Sequence, residues 1–263
     1  MSRAFIFPGQ GAQTIGMGRD LAERYPDARS VFERVDAALA EPLSALIWDG
    51  EIEVLTRTRN AQPALMATSL AVIAALKAEG VEIGHAAFVA GHSLGEYSAL
   101  AATGALSLEE TARLLRIRGD AMQAAVPEGR GAMAALLGLG LAEVKDIATE
   151  AAGDEVCEAA NDNEPAQVVV SGHRAAVQRA VEIAKTRGAK RAVLLPVSAP
   201  FHCKLMAPAA AAMADALARV DIAEPTVPVV ANIPARALTS PKAIRDTLVD
   251  QVTGMVRWRE SVA

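Results

Sequence analysis

The chain has 263 residues, enough for one large domain or a core with a smaller insert. Hydrophobic residues make up 52% of it but aromatic ones only 3%, so Ala, Val, Leu and Ile must build the core, a mixture suited to helices packed on a parallel sheet. Net charge is −5, from 26 basic and 31 acidic side chains, which argues against nucleic acid as the main partner.

No run of about 18 uncharged apolar residues suggests a membrane span, and the start MSRAFIFPGQ lacks the apolar stretch of a secretory signal. Two cysteines, Cys157 and Cys203, are too few for a disulfide framework or a structural zinc site, and no cluster of ligands supports any metal. The expectation is a cytoplasmic protein with reduced thiols and no membrane association.

Ala4–Phe7 reads as a short buried strand broken by Pro8-Gly9. Helical spacing follows over Ala28–Leu39 and over Ala64–Leu76, the second closed by Gly80. Phe88-Val89-Ala90 is a short apolar strand that leads into Gly91-His92-Ser93-Leu94-Gly95 and a small-residue helix to Ala102. Ser107 and Glu110 form a capping-box pattern that starts a longer helix, ended by Pro127.

From 127 to 197 the rhythm changes to strand 131–139, helix 142–152, strands 156–160 and 167–171, helix 175–187 and strand 191–197. That βαββαβ order is the split-βαβ arrangement of a ferredoxin-like unit. The expected fold class is therefore α/β: a hydrolase-like parallel-sheet core made of 1–126 and 198–263, with an inserted ferredoxin-like subdomain at 127–197. The second half of the core has a helix at 204–219, a strand at 227–231, a helix with Ser240 as N-cap and Pro241 at its first position, and a helix starting near Trp258. The chain stops at Ala263 without a C-cap signal, as a shortened chain or an incomplete core would.

Gly91-His92-Ser93-Leu94-Gly95 is a G-x-S-x-G pattern between a strand and a helix. Such a serine sits on a strained turn that small flanking residues permit, with the helix N-terminus behind it facing a developing oxyanion. A serine hydroxyl needs a base. Of the four histidines, His85 reads as a surface residue, His92 as pointing away from Ser93 and His173 as a capping or exposed residue at a helix start, while His202 lies in a loop after a predicted strand, where α/β folds place catalytic groups, and this favours it modestly. Gly9-Gln10-Gly11 belongs to a glycine-rich loop that fits neither dinucleotide nor P-loop patterns, so Gln10 is read as a candidate oxyanion donor through its backbone N–H. Arg116 and Arg118 are two positions apart, about 200° around a helix, so one of them is expected to point inward and to need an anionic partner.

With these pieces placed, the chain resembles malonyl-CoA:acyl-carrier-protein transacylases, relatives of the acyltransferase domains of polyketide and fatty acid synthases. The resemblance rests on FPGQGAQ (7–13), GHSLGEYSAL (91–100), RLLRIRGDAMQ (113–123), ANDNEPAQVVVSG (160–172), PVSAPFHCKLM (196–206) and QVTGMVRW (251–258). It implies that Ser93 attacks malonyl-CoA with His202 as base, and that the backbone N–H groups of Gln10 and Leu94 hold the oxyanion. It also implies that Arg118 pairs with the malonyl carboxylate and that a main-chain carbonyl near Gln251 orients the base. Asn161 matches an active-site position as polar support, and Leu94 with Phe201 resembles malonyl-selective relatives. The acceptor it implies is the phosphopantetheine thiol of an acyl carrier protein, with no cofactor. Relatives carry a further strand and a glycine-rich turn after the position where this chain ends.

Lys190 and Arg191 are read either as a basic patch for an acidic carrier protein or as a solvated helix end and strand start. Two other functions remain open at this point. A serine hydrolase or thioesterase would need an acid from Asp120, Asp146, Asp154 or Asp162, and a non-catalytic docking module would use the same fold without turnover.

Overall fold

The computed structural model describes residues 3–263. Strand β1 (Ala4–Phe7) is followed by helices α1 (Arg19–Arg24), α2 (Pro26–Leu39), α3 (Leu43–Asp49), α4 (Ile52–Thr56) and α5 (Thr58–Ala78). Helices α1, α3 and α4 span at most two turns, too short to print a period on the sequence. Helix α5 starts well before the expected Ala64 because Pro63 does not break it. Proline has no N–H for the carbonyl four residues back, and the freed Arg59 carbonyl instead accepts from Arg116 Nη1 at 2.9 Å. The helix closes as expected: Gly80 takes φ +81°, and Val81 N–H reaches back to the Leu76 carbonyl at 2.9 Å. By length and composition α5 could cross a bilayer, but over half of its most apolar stretch is buried, and it packs on α2 as a core helix.

Strand β2 (Phe88–Gly91), helix α6 (Leu94–Ala102) and helix α7 (Leu108–Ala124) come next. Ser107 caps the start of α7 as expected: Glu110 N–H donates to Ser107 Oγ at 3.2 Å, and Ser107 Oγ in turn donates to the Glu110 carboxylate at 2.7 Å.

The second stretch supplies β3 (Gly131–Leu137), α8 (Leu141–Ala152), β4 (Cys157–Glu164), β5 (Gln167–His173), α9 (Arg174–Thr186) and β6 (Arg191–Leu194). Its antiparallel sheet has the order β4-β5-β3-β6, the split-βαβ topology expected. Ala132, Ala134 and Leu136 of β3 face Val144, Ile147 and Ala148 of α8 and Val177, Ala180 and Ala184 of α9 in one core, where small side chains let the helices approach the sheet closely.

After a 3-10 turn at Lys204–Met206 come α10 (Ala207–Leu217), β7 (Val229–Ala231), β8 (Arg236–Leu238), α11 (Pro241–Thr253) and α12 (Trp258–Val262). The other sheet has the order β1-β2-β7-β8, with β1, β2 and β7 parallel and β8 antiparallel to β7. Strand β8, three residues long, was not foreseen from the sequence. Strand β1 was expected to be buried. With only β2 beside it, β1 is an edge strand, and Ile6 is 53% exposed at the rim of an apolar pocket of about 270 Å³ lined by Phe5, Phe7, Leu65, Ile73 and Leu76.

The chain gathers into two compact units. One holds the chain up to Asp120 with Asp215–Ala231 and Arg236–Asp246, and the other holds Ala121–Ala214, Asn232–Ala235 and Thr247–Ala263. The expected boundary at 197/198 differs because 198–214 and 247–263 associate with the ferredoxin-like strands. Lys204 pairs with Glu158 at 3.0 Å, Gly131 faces the Pro200 ring, and Val256 bridges to Asn161.

Candidate active site

In the first unit, β2 ends at Gly91 and α6 begins at Leu94, so the chain reverses direction over two residues. Ser93, at the N-cap, is forced to φ 54° and ψ −109°, a conformation that L-residues avoid except where the surroundings impose it. The two flanking glycines leave room for so sharp a turn. A Cβ on Gly91 would lie 1.9 Å from the Gly95 carbonyl oxygen, and one on Gly95 would lie 2.6 Å from that of Phe7. This is the strained elbow that the G-x-S-x-G pattern predicts, with Leu94 opening the helix behind the serine. His92 packs against the preceding loop: a Cβ at Gly9 would lie 2.9 Å from its Nδ1. Gln10, in the same loop, donates from Nε2 to Thr58 Oγ1 at 3.3 Å.

Helix α7 brings the arginines. Gly119 lets α7 approach the first turn of α5, since a Cβ there would fall 2.6 Å from the Arg59 Cα. One of Arg116 and Arg118 was expected to turn inward, and both do, at 9% and 1% exposure, while Ile117 between them faces out. Arg116 donates to Asn60 Oδ1 at 2.7 Å and pairs with Glu41 at 2.8 Å. Arg118 donates from Nη1 to Gln62 Oε1 at 2.8 Å and from Nη2 to Ser93 Oγ at 3.0 Å, with Tyr97's ring below it. Burial pulls the Arg118 guanidinium below its ordinary value, opposed by Tyr97 and Glu96. It still holds its proton at neutral pH, because an arginine starts so high. The Tyr97 hydroxyl is pushed far up by its own burial and stays neutral.

In the second unit, His202 is buried and also has a positive φ, 59°. Its Nδ1 lies 2.8 Å from the Gln251 carbonyl oxygen. A carbonyl only accepts, so Nδ1 carries the proton and Nε2 is left as the basic nitrogen. Gln251 itself is buried, as is Phe201, next to His202 in sequence, and Asn161 is buried on β4 at a bulge. The four aspartates considered as triad acids are engaged elsewhere or exposed. Asp120 pairs with Arg59 at 2.8 Å and Asp162 with Arg259 at 2.7 Å, while Asp146 and Asp154 are at the surface. The other histidines have different surroundings: His85 is exposed, and His173 Nδ1 accepts from Val156 N–H at 2.9 Å. Cys203, next to His202, donates from Sγ to the Pro200 carbonyl, and burial pushes its thiol up to about 11, so it is no nucleophile at neutral pH.

Residues 4–263 match the acyl transferase domain family. The chain belongs to it. The acyltransferase is 47% identical over 262 residues to the malonyl CoA-acyl carrier protein transacylase of Bacillus subtilis (strain 168), covering 98% of this chain and 81% of that protein. Its fold is similar to the acyl-carrier-protein-S-malonyltransferase of Bartonella henselae, with a TM-score of 0.97 and 56% identity over 100% of this chain and 84% of the other. It is also similar to a solved malonyl-transacylase in complex with its holo type II PKS acyl-carrier protein, with a TM-score of 0.96 and 41% identity, covering 100% and 82%.

Gln62, Asn232 and the pairing of Asp162 with Arg259 were not foreseen from the sequence. Gln62 offered one signal, a polar side chain inside the Ala- and Leu-rich face of α5, buried at 1%. Asn232 accepts from Gln251 Nε2 at 3.4 Å, a contact with no local pattern to reveal it.

Proposed function

We infer that this chain is a malonyl-CoA:acyl-carrier-protein transacylase of fatty acid or polyketide synthesis. The observation that carries this reading is the Arg118 guanidinium on Ser93 Oγ: a cation beside the nucleophile selects an acyl group that itself ends in a carboxylate.

In the first half-reaction Ser93 Oγ attacks the thioester carbonyl of malonyl-CoA while His202 Nε2 takes its proton. Backbone N–H groups of Gln10 and Leu94 hold the oxyanion of the tetrahedral intermediate. The intermediate collapses, the C–S bond breaks, and the coenzyme A sulfur leaves with the proton that His202 returns. Arg118, backed by Gln62, grips the malonyl carboxylate of the resulting serine ester, with Asn161 as polar support and Phe201 as an apolar wall. In the second half the phosphopantetheine thiol of the carrier protein gives its proton to His202 and attacks the ester. Ser93 leaves with that proton, and the kinetics are ping-pong. The Gln251 carbonyl keeps His202 in the required tautomer throughout. Lys190 and Arg191 form the docking patch for the acidic carrier protein. Two buried, free thiols support placing the reaction in the cytoplasm.

A serine hydrolase would pass the same ester to water. His202 Nδ1 faces a carbonyl rather than the carboxylate of a serine-hydrolase triad, which counts against that reading. Mass spectrometry after incubation with malonyl-CoA should find malonyl on Ser93, discharged by holo carrier protein. An ester that water clears equally fast with or without the carrier would establish the hydrolase instead. Absence of any adduct would leave a docking module.

A further inference from the structure

We propose that Asp162 and Arg259 are positioning residues that hold the Gln251 carbonyl in place and thereby set the tautomer of His202, an inference that rests on the transacylase reading for its kinetic consequence. Asp162 is fully buried on β4, the outer strand of its sheet. Both of its carboxylate oxygens are taken by Arg259: Nε donates to them at 3.1 and 3.0 Å, and Nη2 donates to Oδ2 at 2.7 Å. The two residues are 97 positions apart, so the pair closes a long loop rather than trimming a local helix.

What the pair closes is the segment that presents Gln251. Helix α11 ends at Thr253, and the chain then runs along the free edge of β4. Asp162 N–H donates to the Val256 carbonyl, and Val256 N–H donates to the Ala160 carbonyl, each at 2.9 Å. Arg257 N–H donates to the Asn232 carbonyl at 3.1 Å, and the Asn232 side chain accepts from Gln251 Nε2. Helix α12, which carries Arg259, has only five residues and cannot hold its own shape without anchorage. The two backbone bonds to β4 fix the segment at one point, and the guanidinium fork fixes it at a second, so it cannot pivot. A pivot would move the end of α11 and with it the acceptor 2.8 Å from His202 Nδ1. Without that acceptor the neutral imidazole redistributes its proton between the two nitrogens, and the form with Nε2 protonated cannot act as a base.

The test uses the full chain labelled with 15N-histidine; its four histidines give separable imidazole signals, and His202→Asn assigns the relevant one. The double variant D162N/R259Q removes the pair without leaving a buried charge, and R259K keeps the charge without the fork. In the wild type the His202 signals should report Nδ1–H. In the double variant they should move toward Nε2–H, and the saturating rate of Ser93 malonylation should fall about tenfold with half-saturating malonyl-CoA unchanged. R259K should lie between the two. A folded double variant with wild-type imidazole signals and wild-type rate overturns the inference, and if the double variant does not fold, R259K with wild-type values overturns it. A wild-type chain that forms no malonyl ester would remove the transacylase reading, whereas the imidazole signals still decide the positioning role by themselves.

Discussion

Arg118 Nη2 donates to Ser93 Oγ across 3.0 Å while Nη1 of the same guanidinium donates to Gln62, so a fully buried cation is aimed at the Ser93 hydroxyl. A malonyl group esterified to that oxygen has its carboxylate only two carbons beyond the carbonyl, within reach of the same fork. Charge-assisted hydrogen bonds of this kind contribute about 1.5–3 kcal/mol each. Arg118→Ala should therefore reduce malonyl loading of Ser93 by at least ~100-fold while sparing or raising acetyl loading, which needs no counter-charge. Adduct masses after parallel incubation with malonyl-CoA and acetyl-CoA check this. Equal loss of both would make Arg118 a structural residue.

Gln62 supplies the acceptor that fixes the fork. Gln62→Leu keeps the volume but removes the partner 2.8 Å from Nη1, and a buried donor left without one costs about 1–3 kcal/mol. The expected result is a lower melting temperature together with weaker saturation by malonyl-CoA. The acetyl-loading rate should stay near that of the wild type. A melting curve and a malonyl-CoA titration that both match the wild type would separate Gln62 from substrate binding.

How far this site was legible in the sequence depends on how local each part is. Ser93 was readable because the tight turn that strains it is possible only with glycine at 91 and 95, two positions on either side. Arg118 was half readable: the 200° offset from Arg116 said that one of them turns inward, and both do. The reason is tertiary. Pro63 frees the Arg59 carbonyl, and that carbonyl with Asn60 and Glu41 gives Arg116 its own buried berth. The βαββαβ order was readable because each element is long enough to show its period. Strand β8, three residues long, was not, and neither was the exposure of β1, which depends on how many neighbours a strand finds. Asp162 and Arg259 meet across 97 positions, where no sequence pattern connects them.

The two thiols give the fold an alkaline limit. Burial pushes Cys157 up to about 12 and Cys203 up to about 11, from an ordinary value of 9.0. The unfolded chain ionises its thiols near 9 while the folded chain keeps them protonated, so the unfolded state binds fewer protons between about 9 and about 11–12. Stability from this source is complete below pH 9 and is lost as pH rises through that window. Urea unfolding at pH 8, 9.5 and 10.5 should show the decline, and Cys157→Ala should flatten it. Neither thiol should react with iodoacetamide at pH 8 without denaturant; rapid labelling of the native chain would contradict the burial argument.

The edge at β1 carries a different liability. Ile6, 53% exposed, stands at the rim of the apolar pocket lined by Phe5 and Leu65. An unpaired apolar edge invites dye binding and self-association. Ile6→Lys should lower the fluorescence of a bound anilinonaphthalene dye and raise the concentration at which the protein begins to scatter light. If neither changes, the exposed edge has no part in either behaviour.

Lys190 and Arg191, proposed to dock the carrier protein, have a setting that allows a clean test. Both are exposed: Arg191 opens β6, the strand that ends its sheet and has β3 as its one neighbour, and Lys190 immediately precedes it. Among the nearby cations, Lys185 is held by Glu182 at 2.7 Å and Arg187 is paired with Glu150, so these two have partners within the chain. Among the described residues no ion pair engages Lys190 or Arg191, which leaves their charge available to an acidic surface. Rim charges of this type act mainly on encounter and are screened over about 8–10 Å at ordinary salt. Lys190→Glu with Arg191→Glu should raise the KM for holo carrier protein about tenfold at low salt and less at high salt. The rate at which malonyl-CoA loads Ser93 should not change, because transfer of the malonyl group from coenzyme A to the serine does not involve the carrier. A KM for the carrier that is unchanged at low salt would leave the patch without a role, and a loss of malonyl loading would show that the substitutions had disturbed the fold instead.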